Sequence, residues 1–221
     1  MKRIENTSLF NKYVNESNIL DIFSTDMTDK MQLFYFDKDD FIISEGECSE
    51  FLFFLVDGKT KVFSHSVSGK VMFVSHFNSF QVLGETCSLW GKNPTASVQA
   101  VTPCYCFAIS LNLYKEELLN DVKFLRYICL NLGERLSYMT SNTCTTMFES
   151  LENRLASFIL KNSKDNIFNY NLTECAELLC TSYRHLLRVL NTFCNNSKLH
   201  KKGKTYKILD KDYFEKISSS P

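Results

Sequence analysis

The stretch NLTECAELLCTSYRHLLRVLNTFC, residues 171–194, decides the architecture. Asn171 is a good N-cap, and Glu174 three residues on completes a capping box. The pattern predicts a short helix over Leu172–Leu179 that ends at Cys180-Thr181. Ser182 then caps a second helix, Tyr183–Cys194, whose apolar residues Leu186, Val189, Leu190 and Phe193 share one face. Two short helices joined by a turn of about three residues make a helix-turn-helix. Beyond them, Lys198-Leu199-His200-Lys201, the turn Lys202-Gly203-Lys204 and Thr205-Tyr206-Lys207-Ile208 read as a hairpin, which is a wing. Leu151, Leu155, Phe158 and Ile159 mark a helix in front of the pair. Residues 148–221 are therefore expected to form a winged helix-turn-helix domain.

Such a motif enters the major groove of DNA with the N-terminus of its second helix first. Ser182, Tyr183, Arg184, His185 and Arg188 are the candidate DNA-binding residues on that helix. Arg184 and Arg188 are four apart and share a face, and a guanidinium can bond guanine O6 and N7 together. Two arginines on a helix can also be no more than a solvated face. Here the apolar face is complete without them, and residues 178–209 hold seven Lys/Arg and no acid. Lys198, Lys201, Lys202 and Lys204 read as phosphate contacts from the wing, which position a protein on DNA without reading sequence. The whole chain has 25 basic and 25 acidic residues, a net charge of zero. That average conceals a split: residues 1–146 carry 13 basic and 17 acidic side chains, residues 147–221 carry 12 and 8. Charge asymmetry between halves points to nucleic-acid contact by the basic half.

Upstream, the character is different. Leu33–Phe36, Phe41–Ile43, Phe51–Val56, Lys61–His65, Val71–Phe77, Ser97–Val101 and Tyr105–Ile109 are short apolar, β-branched or aromatic runs separated by turn residues. Their spacing predicts an antiparallel roll of the jelly-roll type, with eight strands fitting the count. Residues 1–30 are spaced for one or two short helices, and together with the roll make a sensing domain over 1–111. Residues 112–147 hold no proline. Asn112 is the expected N-cap of this block, with Lys115-Glu116-Glu117 in its first turn. Leu125, Ile128, Leu132, Leu136 and Met139 recur at steps of three and four, the seam of a helix about 25 residues long. We read that seam as pairing with its copy in a parallel homodimer. The alternative is a helix lying on the roll's own surface. The fold class is thus α+β: a β-roll, a long dimerisation helix and a winged helix-turn-helix.

Several classes are excluded. No run of about 18 apolar residues exists to cross a membrane. The N-terminus lacks the apolar core of a signal peptide, so a cytoplasmic protein is expected. The nine cysteines include no CxxC, and His65 and His76 are eleven apart with no HxH, so no metal site is expected. Cys104 and Cys106 should face the same side of a strand; buried small hydrophobes are the reading for most cysteines, a redox switch the alternative. No nucleophile–base pair stands out, so the chain is not read as an enzyme.

Three segments carry a resemblance over nearly the whole chain: LGETCSLWG (83–91), ENRLASFIL (152–160) and AELLCTSYRHLLRVL (176–190). With the order of roll, long helix and winged motif, they resemble the Crp/Fnr family of bacterial transcription regulators. The segment SYRHLLRVL is similar to the YeiL-type branch, with Tyr-Arg-His where most members carry Arg-Glu-Thr. The resemblance implies a homodimer on a palindromic operator in double-stranded DNA, with RNA polymerase as a further partner and a roll that senses an effector. It also implies an effector pocket. In nucleotide-binding members a Gly-Glu pair cradles a phosphate and a ribose, and hydroxyl residues on the long helix reach the base. Gly84, Glu85 and Thr86 fall at the first place, Thr140 and Ser141 at the second. The family's phosphate-pairing arginine is missing: the matching stretch is Asn93-Pro94-Thr95-Ala96-Ser97. A buried phosphate without its cation loses a strong pair, so cyclic AMP is not the expected ligand and the effector is unidentified. Gly84-Glu85 reads first as a retained turn of the fold. The clustered N-terminal cysteines of the iron–sulfur members are absent, because the first cysteine is Cys48. Where the family often has glycine between the two helices, this chain has Cys180. The competing function is a small-molecule or redox-sensing module without direct DNA binding.

Overall fold

The computed structural model describes residues 1–65, 71–77 and 80–218, with side chains except at 71–77, 138 and 141–148. The chain divides into two compact units, Met1–Glu134 and Arg135–Pro221. This boundary falls inside a helix, not at residues 111 and 147, because the first part of that helix packs into the first unit.

The first unit begins with β1 (Lys2–Ile4) and α1 (Thr7–Ser17). Then come β2 (Met31–Phe36), β3 (Phe41–Ile43), β4 (Phe51–Asp57), β5 (Thr60–His65), β6 (Val71–Phe77), β7 (Gln81–Leu83), β8 (Ser97–Ala100) and β9 (Cys104–Ser110). They form two antiparallel sheets, ordered β1-β2-β9-β4-β7 and β3-β8-β5-β6. The seven strands read from sequence are present. Two more, β1 and β7, are three-residue strands too short to show a period. They raise the count for the first unit to nine among its described residues.

Strands β2, β4 and β9 are buried on both faces. Phe34, Phe36, Phe53, Leu55, Cys104, Cys106 and Ala108 fill the core shared with the other sheet. The alternate positions Leu33, Leu52, Phe54, Phe107 and Ile109 face a second core, which includes Tyr13, Phe23 and Phe124. This two-sided burial explains why FLFFLV (51–56) reads as a continuous apolar run. Cys104 and Cys106 do share a face, and burial pushes both thiols up from their ordinary pKa.

The helical block after the roll is two helices, α2 (Leu111–Asn120) and α3 (Val122–Phe148). α2 starts after Ser110, so Asn112 is not its cap. The chain breaks at Asp121, whose Oδ1 accepts from the amides of Lys123 (2.9 Å) and Phe124 (3.1 Å). The same carboxylate accepts from the Ser24 amide at 2.7 Å and the Ser24 hydroxyl at 2.6 Å. Period alone could not reveal this break, since the apolar positions continue across it.

The expected dimer seam is corrected in one member. Ile128 is 3% exposed and lies in the roll's second core with Phe124, so it has no surface left for another chain. Leu125 and Leu132 are half-buried against the same core. Leu136 is 68% and Met139 48% exposed. The alternative, a helix on its own roll, thus holds for one face of α3. An apolar stripe also runs along α3 at steps of three and four, through the exposed Val122, Cys129, Leu136 and Met139 and the half-buried Leu125 and Leu132.

The second unit contains α4 (Leu151–Asn162), β10 (Ser163–Lys164), β11 (Ile167–Phe168), α5 (Leu172–Leu178), α6 (Tyr183–Asn195), β12 (Leu199–Lys202), β13 (Thr205–Ile208) and α7 (Lys211–Ser218). The wing hairpin is half of a four-stranded sheet, β10-β11-β13-β12. The core joins Leu155 and Ile159 of α4, Cys175 of α5, Leu186, Leu190 and Phe193 of α6, Tyr206 of the wing and Phe214 of α7. α7 and the strands β10 and β11 were not foreseen; at two residues each the strands carry no period. No described helix is long and apolar enough to cross a membrane.

Candidate nucleic-acid interface

The helix pair is built as its residues suggest. Asn171 Oδ1 accepts from the amides of Thr173 at 2.9 Å and Glu174 at 3.4 Å. The return arm of the capping box is not made: Glu174 instead accepts from the Tyr170 hydroxyl at 3.4 Å. α5 then ends in a left-handed turn. Cys180 has φ 48°, the Cys180 amide bonds Glu177 O at 3.0 Å, and the Thr181 amide bonds Ala176 O at 2.9 Å. These two bonds are the pattern with which glycine commonly ends a helix. Here a cysteine makes it, at a steric cost. Ser182 Oγ accepts from the His185 amide at 3.2 Å and starts α6.

On α6, Leu186, Val189, Leu190 and Phe193 are buried, while Ser182, Tyr183, Arg184 and Arg188 are exposed. The arginines therefore project from the face opposite the core. His185 is different. It is half-buried, and its Nδ1 lies 3.4 Å from Thr181 Oγ1, back toward the turn.

The wing pairs Lys202 with Thr205 across Gly203-Lys204, and Gly203 has φ 61°. Lys201, Lys202, Lys204 and Lys207 are exposed. Lys198 departs from the expectation of a phosphate contact. It is half-buried, its Nζ lies 2.7 Å from Asp210 Oδ2, and the same nitrogen sits 4.6 Å from the Tyr213 ring centre. Its hydrogen bond, with that of the Tyr213 amide, holds the Asp210 carboxyl below its ordinary pKa. The partner was invisible in sequence because it lies twelve residues away, just past the acid-free window.

Between the wing and the helix starts lies a cleft of about 560 Å³, with Asn171, Thr173, Tyr183, Lys201, Lys204 and Tyr206 among its lining residues. Lys201 stands over the Tyr206 ring, 5.9 Å from its centre. The Tyr206 hydroxyl is buried without a partner among the described residues, and burial raises its pKa. Asn171 and Thr173 were not read as interface residues. Their only sequence signal was the cap. The cleft is open, faces lysines and carries amide and hydroxyl donors, which suits a phosphate backbone.

The proposed effector residues fall in both units. Gly84, Glu85 and Thr86 lie on one turn of the first unit. Gly84 has φ 96°, and a Cβ there would meet Ser88 Oγ at 3.2 Å and Ile43 Cδ1 at 3.3 Å, so the glycine is needed by the turn itself. Glu85 is 2% exposed and Thr86 is exposed, with Oγ1 3.6 Å from Cys87 Sγ. Thr140 is exposed on α3, in the second unit; the Ser141 side chain lies outside the described residues. The stretch 93–97 is tied to a neighbouring turn, with Pro94 O accepting from the Gly46 amide at 2.8 Å and Ser97 Oγ from the Glu45 amide at 3.0 Å.

Residues 33–121 match the model of the cyclic nucleotide-binding domain. The chain is 33% identical to the regulatory protein YeiL of Escherichia coli O157:H7 over 195 residues, covering 88% of this chain and 89% of that protein. It is 25% identical over 124 residues to the cAMP-activated global transcriptional regulator CRP of the same organism, covering 56% of this chain and 59% of CRP. Among solved structures, a Crp/Fnr-family regulator from Eubacterium rectale superposes with TM-score 0.68 at 17% identity, over 97% of this chain and 95% of that one. The c-di-GMP responsive regulator CLP of Xanthomonas campestris gives 0.67 at 19% identity, over 81% and 94%. The two structural likenesses bear on the fold alone.

Proposed function

The chain belongs to the Crp/Fnr family of DNA-binding transcription regulators, and we propose that it acts as a homodimer on a palindromic operator, in the cytoplasm and alongside RNA polymerase. The observation that supports this most is the exposed Arg184/Arg188 face of α6 beside a basic wing. Arg184 and Arg188 read base edges, guanine being the best bidentate match. Ser182, Lys201, Lys202 and Lys204 hold phosphates, with Asn171 and Thr173 lining the same path. Tyr183 stands at the mouth of the cleft, beside the backbone. His185 serves the turn more than the base edges.

Two heads related by a two-fold axis read half-sites about one helical turn apart. The second copy packs on the α3 stripe of Val122, Leu125, Cys129, Leu132, Leu136 and Met139, through the surface the roll leaves uncovered; its three-and-four spacing is that of a coiled-coil seam. The roll senses an effector other than cyclic AMP, since the stretch 93–97 offers no cation. The effector acts by favouring one orientation of the heads. Gly84 keeps the turn and Glu85, Thr86, Thr140 and Ser141 are the remaining candidates for contact.

A gel-shift titration on duplexes from upstream of its own gene, across salt concentrations, tests the DNA reading. Tight, salt-sensitive and sequence-dependent binding is expected; no binding to any duplex at low salt overturns it. Titration calorimetry with cyclic AMP is expected to show no heat at concentrations that saturate a cyclic-AMP-binding relative.

A further inference from the structure

We propose that Arg154 is a positioning residue for the DNA-reading helix, holding the end of α5 so that a cysteine can occupy the left-handed turn position that delivers α6. The inference rests on α6 reading DNA.

Arg154 lies on α4, half-buried, and its Nη1 donates to the main-chain oxygen of Leu179. Its Nε is buried with no partner among the described residues. The guanidinium has thus been brought inward, and the Leu179 carbonyl is what it meets there. That carbonyl belongs to the residue that ends α5. The last carbonyls of a helix have no partner within it. The bonds from Cys180 and Thr181 satisfy Glu177 O and Ala176 O, not Leu179 O. Arg154 supplies the missing donor, and its positive charge sits at the negative end of the α5 dipole.

The place matters because the next residue is strained. Cys180 at φ 48° carries a Cβ in a region that glycine fills without penalty. Left to itself, the turn would relax toward ordinary φ. Only Leu179, Cys180 and Thr181 separate α5 from the Ser182 cap of α6. Relaxation there re-aims the whole of α6, including Arg184 and Arg188. Bidentate base contacts need geometry held within about 0.5 Å, whereas lysine–phosphate contacts from the wing tolerate more. Losing Arg154 therefore costs sequence readout and spares non-specific binding.

The experiment uses the full chain and two probes: a duplex selected by the unaltered protein from a randomised library, and a scrambled duplex of the same composition. Arg154→Ala is expected to weaken binding to the selected duplex about tenfold, or about 1.4 kcal/mol, and to leave the scrambled duplex within about twofold. Cys180→Gly alone should leave both affinities unchanged. In the Arg154→Ala background it should restore most of the selectivity, because glycine removes the strain that Arg154 opposes. Arg154→Lys, which keeps charge and stem, is measured beside it as a milder variant and should fall between. Equal losses on both probes, or no rescue by Cys180→Gly, overturn the inference while leaving the DNA reading intact. Failure of the unaltered protein to select any duplex overturns both.

Discussion

Removing Lys202 should change the salt dependence of DNA binding, and removing Lys198 should not. Both are wing-region lysines in a window without acids. Lys202 is exposed at the hairpin end, paired across the ladder with Thr205. Lys198 is bound to Asp210 at 2.7 Å and lies against Tyr213. A phosphate contact releases counterions, and each one steepens the plot of log K against log salt by about 0.9. With Lys201, Lys202 and Lys204 in two protomers, the wings account for a slope of about −5. Lys202→Ala removes one contact per protomer and should flatten the slope by about 1.8. Lys198→Ala should leave the slope as it is. Its effect should appear in thermal unfolding instead, as a small drop in melting temperature, because the ion pair is partly solvated. Filter binding or fluorescence anisotropy at four or more salt concentrations, on one fixed duplex, measures the slopes. An equal flattening by the two variants refutes the division of the wing into phosphate-facing and structural lysines.

Other outcomes follow from single sites. Arg184→Ala should lose about 1–3 kcal/mol of discrimination between selected and scrambled duplexes; an equal loss on both would make Arg184 a phosphate contact. Asp121→Ala should destabilise the first unit by about 1 kcal/mol through loss of the α3 cap, read by chemical denaturation. Burial pushes that carboxyl up, but hydrogen bonds from the Ser24 side chain and amide and from the Phe124 and Lys123 amides outweigh it, and its pKa is lowered. A depressed carboxylate stabilises above its unfolded value of about 3.9, and the contribution is lost as pH falls through the lower folded value. The difference between unaltered protein and Asp121→Ala should therefore shrink below about pH 4. Gly84→Ala should cost more than about 1 kcal/mol, since φ 96° is unfavourable for alanine and Ser88 is already at contact distance. A neutral result there would show that the turn can open.

Much of the second unit was legible in its local chemistry. Asn171 and Ser182 act as caps at the residues read, whereas the positive φ of Cys180 is one that a cysteine by itself does not announce. Caps and turns are local interactions, so four to six residues contain the information. The roll was legible as strands but not as sheets: an apolar run such as residues 51–56 states that both faces are covered without saying by what. The strands β1 and β7 are too short to show a period at all.

Sequence alone determined which stretches are apolar, where α5 and α6 start, and where positive charge accumulates. These depend on side-chain chemistry and on spacing along one chain. Tertiary structure alone decided how those surfaces are spent. It put Ile128 into the roll and left Leu136 and Met139 outside, although all three fit one helical period. It tied Lys198 to Asp210 while Lys202 stayed free for solvent. It brought Arg154 to the end of a helix that starts eighteen residues later. Helical and strand periods define faces, but burial and ion pairing depend on which distant segment meets each face, and that is a property of the packed chain.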